Sequence, residues 1–144
     1  MKNKSELTSK IVFVVCLVLF AVFISQLCKH KQAFIISYTD LIGNATQGFS
    51  VYQNTNDESD YWRAVASYGA AVNSILTIGE DTDIYKERQS LMAVYQVLLN
   101  HPQWLNNEME QLIAALENIA DDPLHRSSYD RLLVFYNSCN AENK

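Results

Sequence analysis

Residues 11–28 carry no charge, and only Ser25 and Gln26 interrupt them with strongly polar side chains. At about 1.5 Å of rise per residue, a helix of this length reaches roughly 27 Å, close to the thickness of a hydrocarbon core. Val, Ile, Leu and Phe cover its whole circumference, which argues against the one-sided core helix of a soluble protein. Lys2, Lys4 and Lys10 precede the run as they would in a secretory signal. The run, however, continues through Ile24, and Leu27, Cys28 and Lys29 offer no small-residue pair for cleavage. A lipoprotein signal would place a small residue before its cysteine, where Leu27 stands. The stretch is therefore expected to be an uncleaved signal anchor behind a short basic flank, residues 1–10.

Basic residues flank the run on both sides, with three lysines before it and Lys29 and Lys31 after it. Positive charge near the ends sets orientation, so the N-terminus is expected on the cytoplasmic side and the body outside, in the cell membrane or envelope. That body is acidic. After Lys31 there are six basic residues (Arg63, Lys86, Arg88, Arg126, Arg131, Lys144) against fifteen acids, a net charge of −9. A surface of this sign disfavours phosphate-directed nucleic-acid binding and is repelled by anionic lipid headgroups.

Beyond the anchor the apolar pattern becomes one-sided without a break. Ile35, Tyr38, Ile42, Ala45, Phe49 and Tyr52 follow helical spacing, so one helix, or two nearly collinear ones, is expected to run to about Tyr52. Residues 54–60 form a polar connection, with Asp57 or Ser59 as the N-cap of a second helix. Tyr61, Val65, Tyr68, Val72 and Ile75 line that helix, Gly69, Ala70 and Ala71 give it a small patch for a close neighbour, and Gly79 fits its C-terminal stop.

A third helix is expected from Asp81, Thr82 and Asp83 to Asn100, and a fourth from Pro102, lined by Leu105, Met109, Leu112, Leu116 and Ile119. Glu108 falls on the outer side of that fourth helix. In the last helix Tyr129, Leu132, Leu133 and Tyr136 form the apolar face, Ser127 and Asp130 have capping-box spacing, and Cys139 continues the face as a buried thiol. No segment alternates convincingly as a strand. The expectation is an all-α chain, in which an N-terminal single transmembrane helix continues into a small four- or five-helix antiparallel bundle over residues 29–139, with 140–144 as a polar tail.

Chemistry is sparse. Phosphate-binding glycine loops, G-x-S-x-G, H-E-x-x-H and C-x-x-C are all missing from the sequence. His30, His101 and His125 have no second ligand at helical spacing, and three cysteines (Cys16, Cys28, Cys139) make neither a disulfide framework nor a zinc site. Cys28, at the anchor's edge, suits acylation or a bridge between two copies, although a plain helix-edge cysteine is the simpler account. Acids and amides at Asn54, Asn56, Glu58 and Asp60, and at Glu80, Asp81 and Asp83, lack the turn glycine and distal glutamate of a calcium loop and read as helix caps. Asn44, Ala45 and Thr46 make a glycosylation sequon on a helical stretch. No catalysis, cofactor or metal is expected.

Aromatic residues are the remaining signal. Tyrosine and tryptophan combine apolar bulk with a polar tip, which suits interfaces. Tyr61, Trp62, Tyr68, Tyr85 and Trp104 are the residues singled out for partner binding, against the simpler view that they fill a core needing long reach. The function expected is a protein-interaction or assembly subunit, or adaptor, at the cell envelope. Its partners would be the bilayer and another membrane or envelope protein, with homo-oligomerisation left open. A helical module that senses a small extracytoplasmic ligand is the alternative.

Overall fold

In a computed structural model, residues 2–78, 82–102 and 108–141 are described. They are all-helical, with no strand among them. The chain falls into two compact units, Met1–Phe34 and Ile35–Lys144. Six α-helices are seen among the described residues: α1 (Lys2–Thr55), α2 (Glu58–Ser74), α3 (Asp83–Lys86), α4 (Arg88–Asn100), α5 (Met109–Asp121) and α6 (Asp130–Ala141). Short 3₁₀ turns at Ile75–Thr77 and Arg126–Tyr129 extend α2 and lead into α6.

α1 is a single unbroken helix of 54 residues. In the first unit, residues 11–33 all lie exposed to solvent. Among the described residues it is the one helix long and apolar enough to cross a membrane. In the second unit the same helix turns one-sided, and Tyr38, Ile42, Ala45 and Phe49 are buried as their spacing predicts. It ends at Thr55 because Asn56 takes a left-handed conformation, φ 53°, and its N–H donates to the Tyr52 carbonyl at 2.8 Å. Asparagine tolerates that conformation at a helix stop better than most residues do.

Asp57 then caps α2. Its carboxylate oxygen accepts from the Ser59 N–H at 2.8 Å, one of the two caps expected from the sequence. The core of the second unit continues through Ala64, Val65, Ala71, Val72 and Ile75 of α2 and its 3₁₀ turn, Leu91, Val94 and Leu98 of α4, Leu112, Leu116 and Ile119 of α5, and Leu132, Phe135 and Cys139 of α6. Packed pairs are α2 with α4, α4 with α6, and α5 with α6. α1 joins α2 where Gly48 faces Ala64: a side chain at Gly48 would lie 2.8 Å from the Ala64 Cβ. The small patch on α2 also has its close neighbour, since a Cβ at Gly69 would lie 2.5 Å from the Tyr95 hydroxyl of α4.

Four expectations change. The third helix divides at Glu87, whose ψ of 2° departs from the helical range although no glycine or proline marks the break. It begins at Asp83, within the expected start, with the Thr82 hydroxyl accepting from the Tyr85 N–H at 3.3 Å. The fourth helix is α5 and begins at Met109, so Glu108 precedes it as its N-cap residue instead of facing outward within it. Glu108 is consequently buried, only 6 % exposed, and accepts from the Ser138 hydroxyl of α6 at 3.0 Å. Ser127 sits inside a 3₁₀ turn, where its hydroxyl is 2.9 Å from His125 Nδ1, so the capping box of the last helix does not form. The apolar face of α6 also differs from the expected one: Leu133 is 49 % exposed and Phe135 is buried in its stead, because the helix settles with Leu132, Phe135 and Cys139 inward. Gly79, Glu80, Asp81 and Leu105, to which sequence roles were given, lie outside the described residues.

Candidate functional site

Two of the aromatic side chains singled out for partner contact are struts of the core. Tyr61 is buried between α1, α2 and α4, and its hydroxyl donates to the Leu98 carbonyl at 2.6 Å. That acceptor lies four residues before Pro102, which has no N–H to give, so a tyrosine supplies the donor that the end of α4 lacks. Tyr68, two stripe positions further along α2, donates to the Leu91 carbonyl at 3.0 Å and is fully buried. Both hydroxyls thus fix α2 against α4.

Trp62 differs because it stands one residue off that stripe. It is 46 % exposed and packs edge-on against Tyr61, with ring centroids 5.1 Å apart. Tyr61 in turn meets Tyr52 at 5.2 Å and Phe49 at 5.8 Å, so an aromatic row leads from the core to the surface at Trp62. Tyr85 is half-buried under Arg88, whose guanidinium lies 5.5 Å from the ring centroid in cation–π geometry. Trp104 lies outside the described residues.

Sequence reading missed the tyrosine pair at the base of α1. Tyr129, which begins the approach to α6, donates to the Pro123 carbonyl at 2.8 Å, and its hydroxyl is 3.4 Å from that of Tyr38. Burial pushes the Tyr129 hydroxyl up to about 12, aided by the nearby charges of Glu87 and Asp122, while the bond with Tyr38 acts the other way. Tyr38 and Tyr68 are raised as well, chiefly by burial, with the neighbouring tyrosines adding to the effect. Their separation in sequence hides this cluster; only the fold joins residues 91 positions apart.

Two open clefts remain at the surface, both beside α1. One, of about 410 Å³, lies between α1 and α2 and is lined by Asn44, Gln47, Gly48, Val51, Asp60, Arg63 and Ser67. Asp60 and Arg63 are paired across one turn at 3.1 Å. The other, of about 500 Å³, lies between α1 and α5. Its α1 wall is Gly43, Thr46, Gln47 and Ser50, and its α5 wall is Glu117, Ala120 and Asp121. Near residue 56, Asp57 caps α2, Asn54 Nδ2 donates to the Ser50 carbonyl at 2.8 Å, and Asp60 holds Arg63. No group of three or more metal-ligating side chains converges among the described residues.

Cys139 is buried on the α6 face, as its spacing predicts, whereas Cys16 and Cys28 are exposed. Asn44 of the sequon is also exposed, in mid-helix on the rim of the first cleft. Among the described residues the surface offers helix faces, shallow grooves and the exposed Trp62. Comparison with family models, curated proteins and solved structures finds no match for the chain.

Proposed function

We propose that this chain is a single-pass membrane protein, anchored through residues 11–28 with its N-terminus cytoplasmic, whose helical body outside the cytoplasm serves as a protein-interaction or assembly subunit of the cell envelope. The observation that carries the reading is the two-part character of α1. Residues 11–33 are exposed and, up to Cys28, uncharged, while Tyr38, Ile42, Ala45 and Phe49 of the same helix are buried in a protein core. An exposed apolar cylinder of about 27 Å costs too much in water to stand alone, and a bilayer satisfies it with every backbone bond made inside the helix.

Interaction is favoured over ligand sensing because the tyrosine hydroxyls that might have lined an internal pocket are bonded to main-chain carbonyls of the core. Two open polar clefts among the described residues lie at the surface along α1. Expression of the full chain tests the proposal in two steps. After alkaline carbonate extraction it should stay with the membrane pellet, and protease added to intact cells should remove the body. Mild-detergent purification should then retain one stoichiometric protein partner. Recovery in the aqueous fraction, or a mature chain starting beyond residue 28, would overturn the anchor. A monodisperse chain with no partner would overturn the assembly role.

A further inference from the structure

Apolar side chains scattered singly over a surface need no explanation, but several gathered at one end of a body do. In the second unit α1 and α2 run antiparallel, with Tyr52 meeting Tyr61 and Gly48 facing Ala64. Ile36 stands twelve residues back from Gly48, and Leu76 stands twelve residues on from Ala64. Each is therefore about 18 Å from that contact, in the same direction along the pair. Leu124 joins them there. It follows Pro123, whose carbonyl accepts from Tyr129 beside Tyr38, and Arg126 reaches Glu87 at the end of α3, which packs on the 3₁₀ turn that holds Leu76.

Ile36, Leu76 and Leu124 are each about half exposed, and Leu133 and Val134, one turn into α6 from Tyr129, are exposed as well. At the opposite end Val51 and Leu99 are exposed by little more than a third, and Trp62 leans on Tyr61. What covers the first end follows from the chain itself. The second unit begins at Ile35, seven residues after Cys28 closes the uncharged run. Seven residues span at most about 25 Å even fully extended, so a bilayer that takes up residues 11–28 is never farther than this from Ile35. A tether this short turns a weak surface contact into an intramolecular one. A second copy of this chain fits the face poorly, since after Lys31 it carries six basic residues against fifteen acids and two such bodies repel each other. Asp121 and Asp122 are exposed just before Pro123 and Leu124, which disfavours anionic headgroups and suits neutral ones.

We propose that the end of the body bearing Ile36, Leu76 and Leu124 inserts into the interfacial layer of a zwitterionic bilayer, the same bilayer that holds residues 11–28. Lipid is then a ligand of the body as well as of the anchor. The body is held in one orientation, with the Trp62 end turned away from the membrane. The inference rests on the anchor reading above and deepens it.

The test uses the full chain in phosphatidylcholine nanodiscs, loaded at one chain per disc so that no second copy can cover the face. Cys16 and Cys28 are replaced by serine, and Leu76→Cys, Leu124→Cys and Trp62→Cys each carry an environment-sensitive fluorophore in turn. Lipid with a spin label high on its acyl chain should quench the labels at positions 76 and 124 by about half or more and leave the label at position 62 bright. Adding Ile36→Gln and Leu76→Gln to the Leu124→Cys chain should relieve that quenching while helical ellipticity is retained. Replacing a third of the phosphatidylcholine by phosphatidylglycerol should also reduce it. Equal quenching at all three positions, or quenching that the glutamine variant leaves unchanged, would overturn the proposal, and so would stronger quenching on the anionic discs. A chain that stays with the discs while its labels at 76 and 124 remain bright sinks this inference and leaves the anchor standing. A chain that leaves the discs for the aqueous fraction sinks both.

Discussion

Tyrosine hydroxyls complete main-chain hydrogen bonding in this core, and their removal should not be uniform in effect. The Leu98 carbonyl has Tyr61 as donor where Pro102 offers none, whereas the Leu91 carbonyl, inside α4, also accepts from the helix backbone. Tyr61→Phe should therefore cost about 1–2 kcal/mol in urea unfolding, and Tyr68→Phe only about 0.5–1 kcal/mol. Alkaline pH should expose the same group of residues. Burial holds the Tyr129 hydroxyl near 12, above its ordinary value of 10.0, and raises Tyr38 and Tyr68 too. Below the unfolded value these hydroxyls are protonated in both states and their contribution is complete. As pH climbs through 10 toward 12 the unfolded chain ionises first, so stability falls, by about 3 kcal/mol for Tyr129 alone. Tyrosinate absorbance from the buried set should appear together with loss of helical ellipticity, not before it. The spacing of Tyr61, Val65, Tyr68 and Val72 already placed the two α2 tyrosines on a core face, and Trp62 off it. Their acceptors, 37 and 23 residues away, could not be read from spacing, and for that reason Tyr61 and Tyr68 looked available for partners.

At the scale of elements, two glycines of α1 make a direct comparison. Gly48→Ala gains about 1 kcal/mol of helix propensity but drives a Cβ to 2.8 Å from that of Ala64 and to 3.2 Å from its Cα. Backbone cannot yield as a side-chain tip does, and overpacking of this kind costs about 1–3 kcal/mol, so the net change should be destabilising. Gly43→Ala, facing open space, should stabilise by about 0.5–1 kcal/mol. Thermal melts of the two variants on one background settle the comparison. Asp57→Ala should loosen the first turn of α2, seen as faster amide exchange at Ser59, Asp60 and Tyr61, with the Trp62 environment altered. The α2 cap and the seam of α1 were legible because they depend on nearest neighbours. The break at Glu87 and the inward turn of Glu108 were not, since each depends on where a helix begins once its neighbours have packed.

For the whole molecule the decisive variable is the solvent of residues 11–28. An arginine at the centre of a membrane helix costs about 2.5–3.5 kcal/mol on insertion scales. Val18→Arg should accordingly lower the carbonate-resistant fraction of the full chain, and Val18→Ala should leave it nearly unchanged. The body supplies the second test, because its net charge of −9 after Lys31 is concentrated in a small helical unit. Any association held by that charge should weaken steeply with added salt, whereas the melting temperature of the body, set by an apolar core, should move little.

Hydrophobic periodicity, charge totals and the apolar run determined by themselves that this chain is helical, where its anchor candidate lies and which faces of α1, α2 and α5 turn inward. Those properties follow from local geometry, with side chains three and four residues apart sharing a face. Tertiary structure alone decided that Tyr38 meets Tyr129, that Tyr61 completes the end of α4, that Glu108 is buried against Ser138, and that Gly43 faces an open groove while Gly48 faces Ala64. Each of these is a relation between helices distant in the chain, and it exists only after the helices have chosen which grooves to fill.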